Sequence, residues 1–328
     1  MTRGLVLGKF APLHKGHQLL IETGLAETDK LTVLIYNALE TTNIPLNVRA
    51  DWIRKLYPQT EVIEARDGPT VVGDTPEIKN LQERFILKIL GGTNITHFYS
   101  SEFYGDHVSN ALGAIDRRID SQRLSVPVSG TSIRNRPFDN RLFLDPLVYR
   151  DMINWIVFLG APSAGKTTIC ETMANVLNTV WMPEYGREYW DKHNLNRRLS
   201  VDQLVEIVEG HRNNEDEKSY EADEHFFIDT DASTTRLFSL YYHNKVHPQL
   251  ESYYQECKSR YDLFFLCDDD IPYDNTEDRS GELNRSEFQQ AIRLDLQERQ
   301  IPFTTLSGTV DKRIQTVRAR LKNFNKWK

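Results

Sequence analysis

Short apolar runs recur along the first hundred residues, and helical spacing fills the intervals between them. Residues 5–10, 31–36, 62–65 and 97–99 have the length and the branched or aromatic character of buried strands. Between them, 17–23, 48–56 and 77–90 place apolar residues every three to four positions, the period that gives a helix one buried face. The order βαβαβαβ predicts a parallel sheet with helices on its faces, because parallel neighbours need crossover connections. A second series opens at 155–159 and continues with a helix at 167–177, strands at 225–228 and 263–267, and a helix at 287–297. It predicts another α/β unit. The join is expected near 146–154, where Asp145-Pro146 follows the loop-like Pro137-Phe138-Asp139-Asn140 and precedes the new strand, giving domains 1–148 and 149–328. The longest polar, breaker-rich stretch runs from Asp268 to Arg285 and is expected to be a mobile loop or lid.

At 328 residues the chain suits two domains on the usual scale of roughly 100 to 200 residues each. An apolar share of 39 % with 27 % charged residues fits a folded, well-solvated protein. No window approaches the ~18 uninterrupted apolar residues of a membrane span, and the first residues lack a signal peptide's layout. A cytoplasmic protein with no membrane partner is expected. Cys170, Cys257 and Cys267 are too few and too scattered for a disulfide framework or zinc site, and are expected as reduced packing residues. The net charge of −7 disfavours nonspecific nucleic-acid binding, but leaves room for local phosphate pockets. Composition is compatible with a homo-oligomer without deciding it.

The segment Gly8-Lys9-Phe10-Ala11-Pro12-Leu13-His14-Lys15-Gly16-His17 leaves a strand and enters a helix with two histidines three residues apart. That spacing sets both imidazoles on the first turn, where unpaired N–H groups and the helix dipole favour anions. Two surface histidines would be the bland account of the same pattern. His14-Lys15-Gly16-His17, however, resembles the (H/T)-x-G-H signature of the nucleotidylyltransferase superfamily, and Val128-Ser129-Gly130-Thr131-Ser132-Ile133-Arg134 is similar to its later triphosphate-binding segment. The resemblance implies a phosphate attacking the α-phosphorus of ATP, with Gly8, Lys9, Phe10, His14, His17, Ser129, Thr131 and Arg134 around the nucleotide and Mg²⁺ on the leaving pyrophosphate. Arg49 and Trp52, one helical turn apart, are candidates to hold an acceptor phosphate and to stack on a cationic pyridinium, unless Trp52 is simply core.

Gly160-Ala161-Pro162-Ser163-Ala164-Gly165-Lys166-Thr167 fits G-x-x-x-x-G-K-[ST] between an apolar strand and a helix. Such a loop surrounds phosphates with backbone N–H groups, with Lys166 bridging β- and γ-phosphates and Thr167, followed by Thr168, at the metal end. Asp229 and Asp231 end the apolar Phe226-Phe227-Ile228, where a metal-binding acid would stand, though one of them would equally cap the next helix. Glu184 and Arg187 follow the short apolar 180–182, where small-molecule kinases carry an acceptor-orienting acid; a solvated helical pair is the alternative. Arg279 and Arg285 are candidates to close over ATP.

Ser100-Ser101-Glu102-x-Tyr104-Gly105, Asp120-x-x-Arg123, Glu184-Tyr185-x-Arg187-Glu188, Ile228-Asp229-Thr230-Asp231 and Asp270-Ile271-Pro272-Tyr273, with the order of the domains, look like the bifunctional NadR family over nearly the whole chain. Membership implies an N-terminal nicotinamide-mononucleotide adenylyltransferase and a C-terminal ribosylnicotinamide kinase, converting nicotinamide riboside through the mononucleotide to NAD with ATP and Mg²⁺. The catalytic set it implies is His14, His17, Lys166, Glu184 and Asp229, with Thr167 and Asp229 on the metal, and Glu184, Arg187 and Asp231 on the riboside. Some members begin with a helix-turn-helix domain; here the first strand starts near Met1, so no DNA partner is expected. A kinase for another nucleoside and a regulatory ATP-sensing module remain the alternatives for the second half.

Overall fold

A computed structural model of the chain describes residues 1–69, 71, 73–101, 105–193, 199–272 and 284–327. It divides into two units, Met1–Tyr149 and Arg150–Lys326. In the first, β1 (Arg3–Gly8), α1 (Lys15–Glu27), β2 (Lys30–Tyr36), α2 (Leu46–Leu56), β3 (Glu61–Ala65), α3 (Pro76–Leu90), β4 (His97–Ser100), α4 (Gly105–Leu112), β5 (Ile115–Arg118) and α5 (Gly130–Asn135) follow one another. The strands form one parallel sheet in the order β3-β2-β1-β4-β5. Leu5, Leu34, Ala65 and Phe98 of the strands pack with Ile86 and Leu90 of α3. The strand order reverses at β1, which has β2 on one side and β4 on the other. Connections diverge there, leaving a crevice beyond the carboxyl ends of β1 and β4.

A short helix, α6 (Pro146–Met152), leads toward the second unit. It occupies the segment where the join is expected. Asp145-Pro146 is a helix start rather than a break: Pro146 needs no N–H at the first helical position, and the Asp145 carboxylate accepts the Leu147 amide at 2.8 Å.

The second unit contains β6 (Asn154–Leu159), α7 (Lys166–Leu177), β7 (Trp181–Met182), α8 (Tyr185–His193), α9 (Val201–Ser219), β8 (His225–Asp229), α10 (Ala232–His243), α11 (Pro248–Arg260), β9 (Leu263–Cys267), α12 (Arg285–Glu298), β10 (Phe303–Leu306) and α13 (Val310–Lys322). Its parallel sheet runs β10-β9-β6-β8-β7. Phe158 on the central β6 stacks on Phe265 of β9 at 5.2 Å and meets Phe227 of β8 at 6.0 Å. Ile169, Met173 and Val317 from α7 and α13 close that core. Again the central strand points its carboxyl end at a loop and a helix N-terminus. Most of the expected lid, 273–283, lies outside the described residues, and Arg279 with it.

Candidate functional site

At the end of β1 the chain bends sharply, with Phe10 at φ +45°, and His14 caps α1. The His14 amide donates to Nδ1 of His17 at 3.4 Å, and the two rings stack with centroids 3.7 Å apart. Phe10 meets His17 edge-on at 4.9 Å. Because Nδ1 of His17 accepts, its proton belongs on Nε2, which makes that nitrogen a donor. Burial, then the cations Arg123 and Arg134, push the His14 pKa down to about 4. Burial and the neighbouring His14 hold His17 well below the ordinary range. Both rings are therefore neutral at pH 7.

Opposite them, Ser129 caps α5 by accepting the Ser132 amide. Arg134 reaches from α5 to the Ala11 carbonyl at 2.5 Å and to the Thr131 hydroxyl at 3.0 Å. Gly130 leaves that guanidinium room: a Cβ there would stand 3.1 Å from Arg134 Nη1. A cavity of about 310 Å³ lies between, lined by Lys9, Phe10, His14, His17, Ser101, Asp120, Arg123, Ser129, Thr131 and Arg134 among others. It opens at the crevice that the strand order creates. Gly8 ends the strand behind Phe10 and is not among the lining residues. Lys9 pairs with Glu40 at 2.6 Å. Asp120 accepts the amides of Leu124, Ser125 and Val126 at 2.8, 3.0 and 2.9 Å, shaping the loop that carries Arg123. Beyond the resemblance of Asp120-x-x-Arg123, nothing in the sequence singles out Arg123 for this cavity.

Arg49 and Trp52 do not take the places expected of them. Both are 1 % exposed, and neither lines the cavity. Arg49 donates to the carbonyls of Ile44, Lys9 and Tyr36, and burial lowers its pKa to about 10. Carbonyl partners inside the fold make it a strut beneath Lys9, and Trp52 belongs to the core of α2.

The second constellation surrounds the loop after β6. Gly160 is at φ +149°, and a Cβ there would fall 2.6 Å from the Cys267 carbonyl; Gly165 is at φ +82°. Only glycine tolerates both demands. Lys166 is buried and donates to the carbonyls of Gly160 and Ala161 at 3.0 and 3.2 Å. The Thr167 hydroxyl donates to Asp229 at 2.5 Å. Asp229 is wholly buried, its other oxygen has no hydrogen-bond partner among the described residues, and burial raises its pKa to about 6. Glu184, half-buried just before α8, lies near enough that its charge adds to that rise. Asp231 caps α10, accepting the Ser233 amide and hydroxyl with one oxygen, while the other is buried with no hydrogen-bond partner among the described residues. Arg187 and Thr168 are exposed on their helices. Arg285 clasps the loop itself, donating to the carbonyls of Ser163 and Ile271 at 3.1 and 2.8 Å. Two further residues secure the loop and escaped the sequence reading. Gln289 accepts the Ala161 amide and donates to the Cys267 carbonyl, and Arg313 donates to the Ala164 carbonyl. One amide on an amphipathic helix and one Arg among several give no signal of long-range contacts.

Residues 5–136 match the cytidylyltransferase-like family and 155–313 the AAA domain family. The trifunctional NAD biosynthesis/regulator protein NadR of Escherichia coli (strain K12) is 26 % identical over 326 residues, covering 92 % of this chain and 78 % of that one. The chain is thus similar to NadR over nearly its whole length. NadR of Salmonella typhimurium (strain LT2) is also 26 % identical, over 323 residues, 92 % of this chain and 77 % of its own. Two solved NadR structures share the fold end to end. The complex with NAD and AMP-PNP has a TM-score of 0.56 at 19 % identity, covering 98 % of this chain and 95 % of the other. The complex with NR has 0.57 at 20 %, with the same coverage. The two family matches thus stand in the expected order, each with its motif at the end of a central strand. Among the described residues no helix is long and apolar enough to cross a membrane.

Proposed function

We propose that this NadR-type chain makes NAD from nicotinamide riboside in two ATP-dependent steps, with residues 149–328 phosphorylating the riboside and residues 1–148 adenylylating the mononucleotide. The observation that carries the reading is the joint presence of a neutral, stacked histidine pair on an arginine-lined cavity and a complete phosphate loop beside a buried acid. Each is suited to a different phosphorus.

In the second step a mononucleotide phosphate oxygen attacks the α-phosphorus of ATP, and the bond to pyrophosphate breaks. His17 donates from Nε2, and with His14 stabilises the charge growing on the α-phosphate, without either ring exchanging a proton. Lys9, Arg123 and Arg134 neutralise the pyrophosphate, with Ser129 and Thr131 beside it at the start of α5 and Phe10 bracing the His17 ring. Arg49 serves this site indirectly, by fixing the carbonyl of Lys9.

In the first step the riboside 5′-hydroxyl attacks the γ-phosphorus, and ADP leaves. Glu184 accepts the hydroxyl proton, with Asp231 and Arg187 at the acceptor end. Lys166 exchanges its loop carbonyls for the β- and γ-phosphates, and Arg285 holds the loop in shape. The hard oxygen donors Thr167 and Asp229, the latter with an unpartnered buried oxygen, suit Mg²⁺. When bound, that ion screens the phosphate charge and orients the oxygens. Dependence on ATP fits a cytosolic reaction.

Mass spectrometry after incubation with ATP, Mg²⁺ and a panel of ribonucleosides tests this reading. Nicotinamide riboside is expected to give the mononucleotide and then NAD. Preferential phosphorylation of another nucleoside would reassign the second half, and no NAD from supplied mononucleotide would overturn the first.

A further inference from the structure

Glycine inside a helix costs about 1 kcal/mol relative to alanine, yet the 19-residue α9 carries Gly210 at its middle. The reason lies in the adjoining segment. A Cβ at Gly210 would come within 2.8 Å of Cζ of Tyr185 and closer still to its Cε1. The Tyr185 ring therefore rests on bare backbone. One position further along α9, Nδ1 of the buried His211 accepts the Tyr185 amide at 3.4 Å. Tyr185 opens α8, so this amide belongs to the first turn, whose N–H groups have no partner within the helix. The far side of the imidazole is fixed as well. Nε2 of His211 stands 3.1 Å from Glu215, which is wholly buried and takes the Tyr261 hydroxyl at 2.8 Å and Arg260 Nε at 2.6 Å. With Nδ1 accepting, the ring's proton faces Glu215.

We infer that Gly210 and His211 form a seat on α9 that receives Tyr185, ring and amide, and thereby fixes the preceding residue, Glu184, beside Asp229. They are positioning residues for the acceptor and touch neither ATP nor the phosphate loop. The inference rests on the kinase reading for its consequence, but the seat itself is a matter of contacts. Glu184 directly precedes α8, so the seat of Tyr185 sets where its carboxylate stands, and a misplacement of about 1 Å in a reacting group costs up to roughly a hundredfold in rate.

Gly210→Ala, His211→Ala and His211→Gln in the full chain test it, since Gln can accept the Tyr185 amide and donate toward Glu215. With nicotinamide riboside and ATP, the two alanine variants are expected to lower kcat for riboside phosphorylation about tenfold or more, with KM for ATP changed less than about twofold and the glutamine variant close to wild type. Hydrogen exchange at the Tyr185 amide gives a readout independent of catalysis: faster in His211→Ala, protected in His211→Gln. Unchanged kcat in both alanine variants, a KM for ATP that rises along with the loss of kcat, a glutamine variant as impaired as alanine, or unchanged Tyr185 exchange in His211→Ala would overturn the seat. Exchange behaving as expected in a wild-type chain that phosphorylates no riboside would uphold the seat and fault the kinase reading instead.

Discussion

The two phosphate sites start from the same device, a central parallel strand running into a loop and a helix N-terminus, and equip it in opposite ways. After β1 the groups proposed to bind anions are side chains: neutral His14 and His17, with Arg123 and Arg134, line a cavity of about 310 Å³. After β6 the loop offers its backbone, and its two charged groups are engaged at home, Lys166 on loop carbonyls and Asp229 on Thr167. In one site burial, backed by nearby cations, holds the histidines in the neutral, donating form. The other must exchange internal bonds for ligand bonds. Loss of one donor should thus be shared among neighbours in the first site, whereas the second depends on a single ammonium group.

The largest effect that separates them is expected from Lys166→Ala. Riboside phosphorylation should fall by on the order of a thousandfold or more, because the only cation placed within the loop is gone, while adenylylation of supplied mononucleotide continues. Steady-state rates of both reactions check this, and equal damage to both would mean the sites are coupled.

Trp52→Ala sharpens the contrast between wall and core. Truncating an indole that is 1 % exposed should cost about 3–5 kcal/mol of stability, read by urea unfolding. Unchanged stability with a selective loss of mononucleotide affinity would return Trp52 to the ligand.

The neutrality of the histidines has its own pH signature. The folded pKa of His14, about 4, lies below the ordinary 6.5, so the unfolded chain binds the proton first as pH falls. Stability should therefore decline between pH 6.5 and 4 and then level off, by up to about 3 kcal/mol from this residue. Urea unfolding at pH 7 and 4.5 should show a smaller decline for His14→Gln; identical declines would mean that His14 is not buried neutral. The smallest effect belongs to the second loop's scaffold. Gln289→Leu leaves the Ala161 amide without its side-chain partner, expected to cost about 1–3 kcal/mol in thermal unfolding while leaving adenylylation intact.

These contrasts also mark what the sequence made legible. Strands such as β2 and β6 and the phosphate-loop helix were plain because continuous apolar runs and glycine spacing are local properties. Helix α9 is hard to read from sequence because its buried face includes His211 and Glu215, which break the apolar period. Strand β5, Ile-Asp-Arg-Arg at a sheet edge, looks like loop for a similar reason. The motifs located both sites, but Gln289 and Arg313 act on the phosphate loop across more than a hundred positions of chain. Amphipathic spacing placed Trp52 on a helix face without telling a core from a ligand wall.

The most direct test of two independent sites acting in series is complementation between His17→Ala and Lys166→Ala. Each variant alone, given nicotinamide riboside, ATP and Mg²⁺, should yield little NAD: the first accumulates mononucleotide because adenylyl transfer is slowed about 10²- to 10³-fold, and the second leaves the riboside unreacted. Mixed, they should restore NAD formation, with free mononucleotide passing from one chain to the other. A mixture no better than either variant alone, or riboside left untouched by His17→Ala, would contradict the account.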